Sequence, residues 1–146
     1  TKQRPVMIHK ALLGSFERFL SVYVEHTAGR FPIWLAPEQL RIIQVKDFTE
    51  LDSFVDEIAT LAKENGIRCQ VDRSNESVGK KIRNSELMKI PYTVVIGEKE
   101  LETKALSPRV RSDLAVDGRE DKAYPLENFI QSIVHEAKGR VQKSSL

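Results

Sequence analysis

Apolar positions along the chain fall into segments whose spacing predicts alternating strands and helices. Leu51, Phe54, Val55, Ile58, Leu61 and Ala62 recur at three- and four-residue intervals, which puts one apolar face on a helix. Thr49 with Asp52 three residues on resembles a capping box at its start, and Gly66 closes it. Leu126, Phe129, Ile130, Ile133, Val134 and Ala137 make a second stripe, opened by Pro125, the residue best suited to a first helical position. Phe16, Phe19, Leu20, Tyr23 and Val24 predict an earlier helix stopped by Gly29, and Val78 and Ile82 lie on one face of a basic helix reaching about Met88. Leu40–Val45, Ile67–Val71 and Tyr92–Ile96 read as strands, the last apolar throughout, as expected when both sheet faces are covered. Lys104–Arg111 reads as a fourth strand and Asp113–Val116 as a short fifth. Val6–Leu13 reads as a buried strand before the first helix, although periodicity alone does not separate so short a run from a helix.

This order predicts an α/β fold: a mixed, largely parallel five-stranded sheet with helices on both faces, preceded by a strand–helix unit. Phe31–Pro37 carries two prolines and reads as an ordered connector, with Trp34 as a packing anchor. The expected divisions are therefore residues 1–30, a linker 31–38, and a domain 39–146. The basic tail from Lys138 has no apolar face and is expected to fray.

Composition narrows the class. In 146 residues, 40% apolar content supports a packed core, while 30% charged content supports a hydrated surface. No apolar run approaches the ~20 residues of a membrane span, and no signal-peptide pattern opens the chain. Cys69 has no second cysteine to pair with, which suits a reducing compartment, so a cytoplasmic location is expected. Net charge is only +2, but Gly66–Arg111 holds ten Lys and Arg against six Asp and Glu. That local excess fits a phosphate backbone, and a solvated face equally.

Arg4-Pro5-Val6-Met7-Ile8-His9-Lys10-Ala11-Leu12-Leu13-Gly14-Ser15-Phe16-Glu17-Arg18-Phe19 resembles motif 3 of class II aminoacyl-tRNA synthetases, in its threonyl-tRNA synthetase form. The linker string Phe-Pro-Ile-Trp-Leu-Ala-Pro, the segment Gly79-Lys80-Lys81-Ile82-Arg83, Pro91-Tyr92 before the apolar strand, and Gly97-Glu98-Lys99-Glu100 extend the resemblance along essentially the whole chain. Gln39 onward is similar to the anticodon-binding domain shared by the synthetases for His, Gly, Thr and Pro.

The resemblance implies the C-terminal part of a threonine–tRNA ligase. By the same resemblance the full enzyme would be a dimer that activates threonine with ATP and magnesium and transfers it to tRNA(Thr). Motifs 1 and 2 would lie upstream, so this chain alone is expected to be inactive, without bound cofactor, and monomeric. Arg18 would contact ATP, where a guanidinium spreads charge over polyphosphate, and Ser15 would line the threonine pocket or cap the helix. His9 would be one of three zinc ligands, the other two lying before Thr1; a core histidine would also suit that position. Asn75, Arg83, Glu100 and Arg109 would belong to the surface reading G and U, the second and third anticodon letters. Lys80, Lys81 and Arg111 would contact phosphate.

Two features depart from the family's pattern. Pro108 cannot donate to a sheet ladder, so Arg109 is expected on an edge strand or beside a bulge. Ser112–Tyr124 is longer and more acidic than in family members. A non-catalytic accessory RNA-binding module with the same fold is the alternative, against which the intact His9 and Arg18 argue. A flavodoxin-like or receiver-type ligand domain fits less well, because Lys46-Asp47-Phe48-Thr49 replaces a Gly-rich phosphate loop and no acidic triad is evident.

Overall fold

A computed structural model describes residues 3–45, 49–116 and 122–146. Three parallel strands form the centre: β1 (Leu40–Gln44), β2 (Cys69–Asp72) and β3 (Tyr92–Ile96), with β1 in the middle. A short antiparallel strand, β5 (Arg109–Val110), extends the sheet beyond β3, and β4 (Ala105–Leu106) pairs separately with β6 (Tyr124–Pro125). The helices are α1 (Phe16–Thr27), α2 (Thr49–Glu64), α3 (Val78–Leu87), α4 (Glu98–Thr103) and α5 (Leu126–Gly139).

Alternation along β1 and β3 decides what each face packs against. Leu40, Ile42, Tyr92, Val94 and Ile96 join Leu51, Phe54, Val55 and Ile58 of α2 and Phe129, Ile130 and Ile133 of α5 in one apolar cluster. The opposite face is more polar: Arg41, Thr93 and the buried Lys81 and Ser85 of α3 accompany Ile43 there. The expected α/β fold, with a mostly parallel sheet covered on both faces, is therefore observed. Gly66 ends α2 with φ +80°, a left-handed conformation that costs a residue without Cβ little. No helix among the described residues is long and apolar enough to cross a membrane.

Several local expectations are corrected. Val6–Leu13 forms no strand; it is irregular and exposed, Val6 at 89% and Ile8 at 87%, because no neighbouring strand satisfies its backbone groups. Lys104–Arg111 is not one strand. Lys104 takes φ +52° to close α4, a helix that the sequence reading missed, and Ser107-Pro108 separates β4 from β5. Among the described residues the main sheet consequently has four strands, and β5 is its edge, as Pro108 requires. Asp113–Val116 is a turn, closed by the Leu114 and Ala115 amides donating to the Arg111 carbonyl. Thr49 is already inside α2 rather than capping it. Lys46–Phe48 and residues 117–121 of the acidic segment lie outside the described residues.

The tail does not fray. Helix α5 runs on to Gly139, Arg140 caps it with φ +51°, and Ser144 and Leu146 are buried. Glu136, only 2% exposed, accepts from the Tyr92 hydroxyl, the Ser145 amide and the Ser145 hydroxyl. Tyr92→Phe, which takes a donor from this buried carboxylate, is expected to cost about 1–3 kcal/mol in urea unfolding. An unchanged midpoint would show that Glu136 is satisfied without it.

Candidate nucleic-acid interface

Helix α3 packs over β1 and leaves the β3–β5 side of its face open. A cleft of about 470 Å³ results, with Thr93 and its cross-strand partner Arg109 on one side, Ile82 and Glu86 of α3 on another, and Lys89 and Arg30 nearby. Thr93 is buried, and Arg109 is exposed with no ion pair or side-chain hydrogen bond among the described residues. A lining that mixes apolar side chains with Thr93 and with cations that outnumber Glu86 suits a planar, unstacked base attached to phosphates.

The basic excess of the middle segment divides sharply on folding. Arg68 donates to the carbonyls of Trp34 and Ala36, holding the linker against the sheet. Arg73 pairs with Asp56 at 2.8 Å, and Lys104 lies 3.8 Å from the centre of the Phe54 ring. Arg83, Lys89, Lys99 and Arg109 keep their charged ends without such partners among the described residues. Lys89 and Arg30 were not singled out from sequence. No local signal marks them, since β5 reaches their neighbourhood only through the fold.

Two phosphate-contact assignments are corrected. Lys81 is 4% exposed, and its ammonium donates to the carbonyls of Gln44 at 3.1 Å and Asp72 at 3.3 Å, tying α3 to the ends of two strands. Arg111 donates to the carbonyls of Lys89 at 2.5 Å and Phe31 at 2.7 Å, and its fork grips Asp113 at 2.6 and 2.9 Å. Both cations are spent on the protein's own backbone. Lys80 stays exposed in a 2.7 Å pair with Glu76, which water screens.

Of the remaining predicted positions, Arg83 is exposed on α3 beside the cleft-lining Ile82, and Asn75 is exposed in the β2–α3 loop. Glu100 caps α4, one oxygen accepting the Gly97 amide at 3.0 Å, so only part of its capacity is available to a ligand. Asn75 and Glu100 thus follow the carboxyl ends of β2 and β3, whereas Arg109 sits in the cleft. They share no single pocket.

The first thirty residues present a different picture. Gly14 takes φ +63°, and Ser15 caps α1, accepting the Arg18 amide at 3.5 Å. The Ser15 hydroxyl also donates to Glu17 at 2.7 Å, which holds that carboxyl below its ordinary value. Arg18 is exposed without an ion pair among the described residues, and the aromatic rings Phe19, Tyr23 and Phe31 stack to join α1 to the linker. No residue of α1 is buried. Trp34 is half-buried at the junction with the Arg140 guanidinium 5.5 Å from its ring, which fits its expected anchoring role. His9 stands exposed, and no three His, Cys, Asp or Glu among the described residues converge to hold a metal.

Residues 39–136 match the family model described as the anticodon binding domain. The chain belongs to the anticodon-binding domain family. The threonine–tRNA ligase of Anaeromyxobacter dehalogenans (strain 2CP-C) is 45% identical over 136 residues, 93% of this chain and 20% of that protein. The threonine–tRNA ligase of Bdellovibrio bacteriovorus is 41% identical over 145 residues, 99% of this chain and 21% of that protein. The chain therefore spans about a fifth of the length of the curated relatives it matches. Among solved structures, the RNA binding domain of threonyl-tRNA synthetase from Cryptosporidium parvum Iowa II superposes with a TM-score of 0.74 at 28% identity, covering 92% of this chain and 31% of that one. This anticodon-binding domain accordingly has an open, cation-lined cleft beside its edge strand.

Lys81→Ala is expected to lose about 1–3 kcal/mol in denaturant unfolding, whereas Lys80→Ala stays within about 0.5 kcal/mol. Equal effects would contradict the division between buried and solvated cations. Burial opposes the charged forms of Asp72 and Asp113, yet Ser74 with Lys81 and Arg41, and Arg111, outweigh it and hold both carboxyls below their ordinary values. Because the folded values are depressed, this stabilisation is complete above the unfolded value near ~4 and is lost as pH falls through the folded ones. Unfolding free energies measured across that range should drop on acidification, and Asp113→Asn should flatten part of the drop.

Proposed function

We propose that this chain is the anticodon-binding part of a threonine–tRNA ligase and reads the second and third anticodon letters, G and U. The observation that carries the reading is the exposed, uncommitted Arg109 guanidinium beside the cleft, in a domain of the anticodon-binding family. The similarity to threonine–tRNA ligases supplies the amino acid.

Loop bases are unstacked and offer edges that a paired A-form helix hides. Arg109 donates a fork of N–H groups to one base edge, with Thr93 below it. Asn75 offers both a donor and an acceptor, Glu100 keeps one carboxylate oxygen for a base N–H, and Arg83 adds donors from α3. Lys80, Lys89, Lys99 and Arg30 attract phosphate and set register without reading sequence.

In the whole enzyme, Arg18 would hold ATP during threonine activation, and magnesium would supply further positive charge for that reaction. Ser15 holds the start of α1 beside the threonine pocket, and His9 contributes one zinc ligand to residues elsewhere. The enzyme works as a cytoplasmic homodimer whose partners are threonine, ATP and tRNA(Thr).

The test is binding to an anticodon stem-loop carrying G and U at the second and third positions, against a loop with both changed, at two salt concentrations. The unaltered chain should prefer the first loop. Arg109→Ala should cost about 1–3 kcal/mol on that loop and flatten discrimination at one base. Lys80→Ala should weaken both loops alike and lower the salt slope. Equal, salt-sensitive binding of both loops by the unaltered chain would reduce the surface to a basic patch.

A further inference from the structure

The strand that presents Arg109 is two residues long, and so short a ladder holds a backbone weakly. What fixes it lies on its carboxyl side. The Arg111 amide donates to the Pro91 carbonyl at 2.9 Å, and its guanidinium clasps Lys89, Phe31 and Asp113. The Leu114 and Ala115 amides then close a turn on the Arg111 carbonyl, at 2.8 and 3.1 Å.

That turn is itself gripped by residues far away in sequence. The Lys143 ammonium donates to the Asp113 carbonyl at 2.7 Å, and the Ser144 amide donates to the Leu114 carbonyl at 2.8 Å. Ser144 can do this because it is anchored in the interior: its Oγ lies 2.6 Å from the Tyr92 hydroxyl, and the Ser145 hydroxyl donates to Glu136 at 2.6 Å. Leu146 is buried beside them, 6% exposed. An unbroken series of short contacts therefore runs from the buried Glu136 of α5, through residues 143–145, to the turn that follows Arg109.

We propose that residues 141–146 are a clamp that positions the Arg109 edge for base reading, with Lys143 and Ser144 as positioning residues. The proposal rests on the anticodon-reading assignment above. Phosphate attraction tolerates a backbone that moves, because it depends on charge and distance; a bidentate contact to a base edge does not. Loosening the clamp should thus damage discrimination while leaving general RNA affinity in place.

Ser144→Pro removes both the amide donor to Leu114 and the Oγ that meets the Tyr92 hydroxyl, without changing net charge. Affinities for the G-U stem-loop and for the changed loop are measured alongside amide exchange at Leu114, Ala115 and the central-strand Val94. The expected result is faster exchange at Leu114 and Ala115 with Val94 unchanged. The preference for the G-U loop falls about fivefold or more, and affinity for the changed loop stays within about twofold. Faster exchange in the turn with the preference retained overturns the clamp, and so does a uniform loss on both loops. If exchange at Val94 also rises, the milder Lys143→Gln decides by the same ratio. An unaltered chain that does not discriminate overturns the anticodon-reading assignment and the clamp with it; one that does, matched by its variant, overturns the clamp alone.

Discussion

Every residue of β1 is buried, between two parallel neighbours and beneath helices on both faces. Parallel strands need crossover segments, and those crossovers are what cover the sheet. The constraint extends to polar atoms. Gln39, Arg41 and Gln44 lie in or beside this strand, and burial obliges each to be paired. Gln39 bonds the Ile33 carbonyl and the Arg68 amide, Arg41 engages Glu38 and approaches Asp72, and the Gln44 side chain meets Arg73 and Asp52. Even the Gln44 carbonyl carries the Lys81 ammonium. The α2–α5 side supplies the apolar cluster, and the α3 side supplies specific polar ties.

This asymmetry creates the site. A helix held mainly over β1 by Lys81 and a few apolar side chains does not reach the sheet's other edge, so β3 and β5 expose Thr93 and Arg109 to a cleft. The edge strand stays short because Pro108 has no N–H to offer, and a short edge needs anchoring from elsewhere. Arg111 and the segment after α5 provide that anchoring. Cations of the same kind are therefore divided in their roles: those turned inward hold the frame, and those left outside keep their charge at the surface.

Much of this was legible in the sequence. The stripes of α2 and α5 and the apolar run of β3 announce themselves because helical and strand periodicity are set by neighbours a few residues apart. Pro108 announced an edge, and the motif strings announced the family. Val6–Leu13 misled because its composition suits a strand while the partner that would make it one is absent from the described structure. Helix α4 was missed because its capping pair, Gly97 and Glu100, interrupts no periodic pattern.

The fate of individual charges was not legible. Lys80 and Lys81 are adjacent in a basic helix, yet one is solvated and the other buried against a carbonyl 37 residues away. Arg109 and Arg111 differ just as much, the second reaching a carbonyl 80 residues back at Phe31. The tail's polar composition argued for fraying, and only the buried Glu136 beneath it explains why it docks. Local sequence determined the long helices, the three central strands, their order and the family, because those depend on spacing and on short motifs. Tertiary structure alone decided which cations remain free to bind and what holds the edge strand, because burial and partnership are properties of residues brought together from distant parts of the chain.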